Sequence, residues 1–233
     1  MKTALITGGS KGIGYGIAEA MLKEKFSVAI TGRNENALNQ AVEKLKTSGG
    51  EVMGIACDVR DYSAQQKVVE QIVKKWKSLD VLIANAGVGN FAPIDEMTID
   101  QWQQTIDTNL TGVFYSIKAS VDALKKSKGY IITISSLAGT NFFATAAAYN
   151  ASKFGLTGFT QAVMLDLRKY GIKVSTIMPG SVATDFDGML SKTGESWKIQ
   201  IEDLGQMVVD MLKLNPRTLP SKIEVRPSLP VKS

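Results

Sequence analysis

The sequence predicts an α/β domain built on a parallel sheet. Short apolar runs alternate with segments of helical periodicity along the chain, the pattern of repeated strand–helix–strand crossovers. Each run ends in a glycine or polar motif, and parallel sheets bind their ligands at the carboxyl ends of the strands. With 233 residues, 44% of them apolar, the chain suffices for one α/β domain with a full core. No linker, repeat or low-complexity stretch divides it, so residues 1–233 are expected to form a single domain.

Thr3-Ala4-Leu5-Ile6-Thr7 reads as the first strand. It breaks into Gly8-Gly9-Ser10-Lys11-Gly12-Ile13-Gly14, after which Ile17, Ala18, Met21 and Leu22 recur at helical spacing. Strand, glycine loop and helix in this order suggest phosphate binding. The glycines admit close backbone approach, and the helix start offers free N–H groups and a positive dipole end. The spacing is G-x-x-x-G-x-G rather than G-x-G-x-x-G, and a tight turn with no ligand is the plainer alternative. Residues 26–31 read as the second strand. Folds that hold NAD usually place an acid about 20 residues beyond the glycines. Gly32-Arg33-Asn34 stands here instead. An arginine suits the 2′-phosphate of NADP through charge-assisted bonds, with Lys11 as a second cation. Glu35 opposes this assignment unless it serves as a first-turn charge of the next helix.

Residues 35–47 read as that helix, closed by Ser48-Gly49-Gly50. A third strand over 51–56 ends at Cys57-Asp58-Val59, where Asp58 could accept a bond from an adenine amino group, while Cys57 reads as core filling. A helix over 63–76 leads to an uninterrupted apolar strand, 80–84, ending in Asn85-Ala86-Gly87. Residues 98–124 predict one long helix containing Asn109. Asparagine is unfavourable inside a helix, so its side chain is either exposed or sits at a backbone irregularity. Strand 130–134 ends in Ser135-Ser136, and the next helix carries Tyr149 and Lys153 to about Tyr170. Ala151, Gly155, Gly158 and Ala162 on that helix permit close packing. A sixth strand, 173–178, ends in Pro179-Gly180-Ser181-Val182-Ala183-Thr184. Residues 185–200, irregular and carrying Phe186, Met189, Leu190 and Trp197, read as a substrate lid, or else as a surface connection packed on the core. A helix over 202–214 and a last strand over 223–226 complete the pattern.

The chain has no histidine and one cysteine. That removes the Ser-His-Asp triad, the usual general base and any internal disulfide, and no metal site is expected. No apolar run approaches membrane-spanning length, and the N-terminus lacks signal-peptide architecture. The net charge of +5 comes without a basic block interleaved with aromatics, so neither membrane nor nucleic acid is an expected partner. A cytoplasmic location is expected. Against this background the pair Tyr149 and Lys153 stands out. Their i, i+4 spacing puts both on one helix face. An ammonium beside a phenol favours the phenolate, which is expected to draw the Tyr149 pKa down from about 10 towards neutrality. A phenol so tuned can pass a proton to a substrate oxygen. An isolated pair of this kind also arises by chance, as a solvated lysine beside a half-buried tyrosine.

Taken together, Thr7-Gly8-Gly9-Ser10-Lys11-Gly12-Ile13-Gly14, Asp58, Asn85-Ala86-Gly87, Asn109, Ser136, Tyr149-x-x-x-Lys153 and Pro179-Gly180 with Thr184 resemble the short-chain dehydrogenase/reductase family in order and spacing over residues 7–184. The resemblance implies a Rossmann-like, doubly wound, seven-stranded parallel sheet flanked by helices, and an NAD(P) cofactor, which Arg33 points to as NADP(H). Cofactor contacts are then expected from Gly8, Ser10, Lys11, Gly12, Ile13, Gly14, Arg33, Asp58, Val59, Asn85, Ala86, Gly87, Tyr149, Lys153, Pro179, Gly180, Val182 and Thr184. It also implies roles. Tyr149 is the general acid that protonates a carbonyl oxygen. Lys153 lowers its pKa and binds the nicotinamide ribose. Ser136 hydrogen-bonds the carbonyl oxygen, and Asn109 holds a water that feeds protons to Lys153. A homodimer through the helices at 98–124 and 150–168 is expected. The stretch from Pro216 to Ser233 lacks the glycine-rich ending of bacterial 3-oxoacyl-carrier-protein reductases, which leaves a tetramer open. The implied activity is NADPH-dependent reduction of a ketone or aldehyde, with a 3-oxoacyl thioester among the candidate substrates. A non-catalytic NADP-binding regulator on the same fold is the alternative, although a sensor has no use for the acid.

Overall fold

In the computed structural model, which describes residues 1–184, 186 and 195–229, seven parallel strands form one sheet in the order β3-β2-β1-β4-β5-β6-β7. The strands are β1 (Thr3–Thr7), β2 (Ser27–Gly32), β3 (Val52–Ala56), β4 (Val81–Ala84), β5 (Tyr130–Ile134), β6 (Lys173–Pro179) and β7 (Lys222–Val225). From β1 the chain builds outwards through β2 to β3, then returns and builds the other way from β4 to β7. The ends of β1 and β4 therefore flank the point where the winding reverses, the place where such sheets open a ligand crevice.

The helices are α1 (Gly12–Lys23), α2 (Glu35–Leu45), α3 (Tyr62–Trp76), α4 (Ile99–Ile106), α5 (Gly112–Ser127), α6 (Ala147–Leu167) and α7 (Ile201–Lys213). They cover both faces of the sheet, which is why the central strands are apolar without interruption. Alternation along β1 sends Ala4 and Ile6 into one core with Ile17, Met21, Leu38 and Val208. Leu5 goes into the other with Val68, Ile72, Val113 and Leu156. On the first face α1 and α7 cross at van der Waals contact of their backbones. A Cβ on Gly16 would lie 2.5 Å from the Ile201 carbonyl oxygen, and one on Gly205 2.6 Å from that of Gly16.

The long helix expected over 98–124 is interrupted. Asp107–Thr111 form a π turn between α4 and α5, and Asn109 within it is fully buried. Of the two readings left open for that asparagine, the backbone irregularity is the one found. Of the expected lid over 185–200, residues 185 and 187–194 lie outside the described residues. Among those described, Val182, beyond β6, forms an isolated parallel bridge with Ile199. No helix among the described residues is long and apolar enough to cross a membrane, and no group of three metal-ligating side chains occurs among them.

Candidate active site

A cleft of about 1160 Å3 runs across the carboxyl ends of the strands. Its floor at one end is the glycine loop. Gly8 (φ +67°) and Gly12 (φ +56°) occupy the left-handed region, which a side chain disfavours. Thr7 and Asn85 hold the loop against the end of β4. The Thr7 hydroxyl accepts from the backbone N–H groups of Asn85 (3.0 Å) and Ala86 (3.1 Å), and Asn85 Nδ2 donates to the carbonyls of Thr7 (2.9 Å) and Gly8 (3.0 Å). Asn85 lines the cleft as expected, with its Nδ2 committed to loop carbonyls. Gly14 does not line the cleft at all. A Cβ there would meet Asn85 Nδ2 and the Gly8 carbonyl at 2.5 Å, so its place in the motif is a packing requirement. Gly8, Ser10, Lys11, Gly12 and Ile13 do line the cleft. Lys11 is the N-cap of α1 and makes no side-chain capping bond.

Arg33 lines the cleft at the end of β2 and is exposed. Asn34 beside it is spent as the α2 cap, its Oδ1 accepting from Ala37 N at 2.9 Å. Glu35 sits in the first turn of α2 and is absent from the cleft wall. The acid that opposed an arginine assignment therefore has its first-turn place. Asp58 lines the cleft with Val59. Both Asp58 oxygens are held by Arg60, with the shortest contact 2.6 Å. These bonds keep the carboxyl below its usual range. An adenine amino group would share that carboxylate with the guanidinium.

Ser136, Tyr149 and Lys153 come together in the same cleft, with Gly87 beside Lys153, while Ala86 and Thr184 lie against Gly8 and Gly12 of the glycine loop, and Pro179, Gly180 and Val182 also line the cleft. Ser136 opens a single 3-10 turn, its hydroxyl accepting from Ala138 N at 3.1 Å. Lys153 is buried, donates from Nζ to the Ile134 carbonyl at 3.0 Å, and sits 5.7 Å from the Tyr149 ring centroid. Their electrostatics depart from the expectation. Burial pushes Tyr149 up, with a Ser136 hydrogen bond opposing it. Burial also pushes Lys153 down from 10.5 to about 8. The i, i+4 spacing promised a lysine field on the phenol, but desolvation acts on both groups, and a lysine half neutral near pH 8 exerts less of that field.

Asn109 lies beneath this end of the cleft and does not line it. Its Oδ1 accepts from Val88 N (2.8 Å), and Nδ2 donates to the Val88 carbonyl (2.9 Å) and Ser152 Oγ (3.1 Å). Both donor hydrogens are used, so the side chain pins the 85–88 loop. Gly87 is the roof over it: a Cβ there would be 3.2 Å from Asn109 Oδ1 and 3.8 Å from Lys153 Nζ.

Several contributors, Phe186 of the expected lid aside, went unread in the sequence. Phe91 and Phe186 flank Tyr149 at ring-centroid distances of 5.3 and 5.9 Å, and Phe143 lies 6.2 Å from Phe91. Asn150, next to the tyrosine, donates to the carbonyls of Ala138 (2.8 Å) and Asn141 (2.7 Å) and so ties the Ser136 loop to α6. An asparagine in the first turn of a helix was the available signal. Thr31 and Thr108 line the cleft with buried hydroxyls that have no partner among the described residues. Lys198 also lines it, paired with Glu195 at 2.6 Å.

Comparison with known proteins agrees with this geometry. A 3-oxoacyl-[acyl-carrier-protein] reductase FabG from Staphylococcus aureus is 36% identical over 193 residues, 82% of this chain and 78% of that protein. A metagenomic short-chain oxidoreductase solved in complex with NADP superposes with a TM-score of 0.86 at 32% identity, covering 98% of each chain. The glycine betaine reductase ATRR of Emericella nidulans is 33% identical over 97% of this chain, which spans 19% of that protein's length. Residues 2–195 match the short chain dehydrogenase family, and the chain belongs to that family.

Proposed function

We propose that the protein reduces a ketone or aldehyde to an alcohol with NADPH. The observation that carries this reading is the meeting of Ser136, Tyr149 and Lys153 at one end of a cleft whose other end holds the glycine loop and Arg33. The cleft suits a dinucleotide. Gly8 and Gly12 leave backbone uncovered, the N-terminus of α1 faces it, and the orphaned hydroxyls of Thr31 and Thr108 await acceptors or donors. Ser10, Lys11, Ile13, Arg33, Asp58, Val59, Val182 and Thr184 would hold it along the wall. When bound, the cofactor supplies the hydride. Ser136 donates a hydrogen bond to the carbonyl oxygen and stabilises the charge growing there. Tyr149, held neutral by burial, gives that oxygen its proton. Lys153 binds a ribose hydroxyl and, through the Tyr149 ring it faces, biases the phenol towards release.

The NADP-bound relative and the carrier-protein reductase support NADPH and a 3-oxoacyl thioester as a candidate substrate. A carbonyl panel followed by NADPH oxidation tests the reading. Tight NADPH binding with no turnover of any carbonyl would favour a regulator instead. Arg33 should set cofactor choice. A hydrogen bond to a charged group is worth about 1.5–3 kcal/mol, so Arg33→Ala should cost NADPH affinity roughly 10- to 150-fold and leave NADH almost unchanged. Equal losses for both cofactors would overturn the assignment.

We also read the protein as a homodimer in the cytoplasm, where a single buried cysteine, Cys57, suits a reducing environment. Ile99 and Trp102 on α4, Phe114 on α5, and Phe154 and Leu165 on α6 are between 40% and 84% exposed, more apolar surface than a monomer usually leaves on neighbouring helices. Phe114→Glu should convert a dimer into monomer in sedimentation velocity. A wild-type monomer, or an unchanged dimer in the variant, would refute this.

A further inference from the structure

The catalytic cleft has a side chamber of about 500 Å3, and Ser136, Gly180 and Ser181 line both spaces. The chamber therefore opens beside the hydroxyl that would hold the carbonyl oxygen. Its wall carries the apolar Leu137, Phe143, Trp197 and Leu229 beside the polar Asn141 and Ser181, and among the described residues the one charged side chain lining it is Arg226. Arg226 follows β7, in the C-terminal stretch that replaces the glycine-rich ending. It donates one guanidinium N–H to Glu224 at 2.9 Å. A guanidinium has five N–H groups, and the rest have no partner among the described residues. Glu224 does not line the chamber, and neither does any other carboxylate.

We propose that the substrate is an oxo-carboxylate with a bulky apolar body. Its carbonyl sits at Ser136 and Tyr149, its body fills the chamber, and its carboxylate meets Arg226. This rests on the reading of Ser136 and Tyr149 as the carbonyl site. Three features carry it. The chamber shares Ser136, Gly180 and Ser181 with the cleft, and its volume lies within the range of small-ligand pockets, roughly 300–1,000 Å3. The wall rewards apolar surface removed from water. The cation at its rim has a planar fork that matches a carboxylate; it is paired with Glu224 outside the chamber through one N–H, and among the described residues no carboxylate lines the chamber itself.

The test uses straight-chain and cyclic oxo-carboxylates of graded length, each paired with its neutral methyl ester, assayed by NADPH oxidation. For the acid that fits, kcat/KM should exceed that of its ester by about 10- to 150-fold, the worth of a charge-assisted bond. Arg226→Gln should erase that preference and leave the ester rate unchanged, with thermal unfolding checking the fold. Trp197→Ala should raise KM for acid and ester alike. Equal rates for acid and ester across the series, or an Arg226→Gln variant that slows both by one factor, would overturn the proposal while leaving the reductase reading intact. No turnover of any pair would overturn the reductase reading and this inference with it.

Discussion

Tyr149→Phe is expected to lower carbonyl turnover by about two to four orders of magnitude, the usual worth of a positioned proton donor. The substitution removes one oxygen and keeps the ring between Phe91 and Phe186, so packing and NADPH affinity should barely change. Ser136 keeps its bond from Ala138 N and so its orientation. Burial raises the Tyr149 pKa, so the phenol carries its proton at neutral pH and has one to give. Turnover by the phenylalanine variant near the wild-type rate would remove Tyr149 as the acid.

Lys153→Met should do two opposite things. It should abolish the lysine's work on Tyr149 and the ribose, and it should make the cofactor-free protein more stable at neutral pH. The folded pKa of about 8 lies below the unfolded value of 10.5, so the unfolded chain binds more protons between those limits. Wild-type stability therefore rises with pH across that window, and the burial penalty is fully present below about pH 8. The gap corresponds to about 3 kcal/mol. Losing the bond to the Ile134 carbonyl offsets about 1 kcal/mol of the gain. The variant should thus be more stable by about 2 kcal/mol at pH 7, with the difference vanishing near pH 10. Denaturant unfolding at both values measures it. A variant less stable than wild type at pH 7 would mean that the lysine is not held at a desolvation cost.

The strands were legible because helices bury both faces, which leaves runs such as Ile131-Ile132 unbroken by polar residues. The π turn was not, since an extra residue per turn hardly alters apolar spacing over five residues. Only the misplaced Asn109 pointed to it. The glycine motif identified the loop but could not separate its members. Gly12 is required by its own backbone angle, whereas Gly14 is required by Asn85, which arrives from 71 positions later in the chain. The juxtaposition of Tyr149 and Lys153 followed from helix geometry, yet its electrostatics did not. Spacing fixes the distance between two groups, whereas burial depends on what other segments cover them. Phe91 escaped for the same reason, and Phe186, read only as part of a lid, was not placed against the tyrosine, since each reaches it from a different strand end.

On a ribosome, which adds about 5–20 residues per second, α1 is made roughly 10–40 seconds before α7. Through that interval the nascent chain holds a bare slot at Gly16, shaped for backbone that has not yet been synthesised. A polypeptide cut short before Ile201 contains the whole glycine loop together with Ser136, Tyr149 and Lys153. It nevertheless lacks Leu204, Val208 and Val209, which bury the same core as Ile17 and Met21. Truncated products carry every reactive group but present an uncovered apolar face to the proteases and chaperones that sort new proteins.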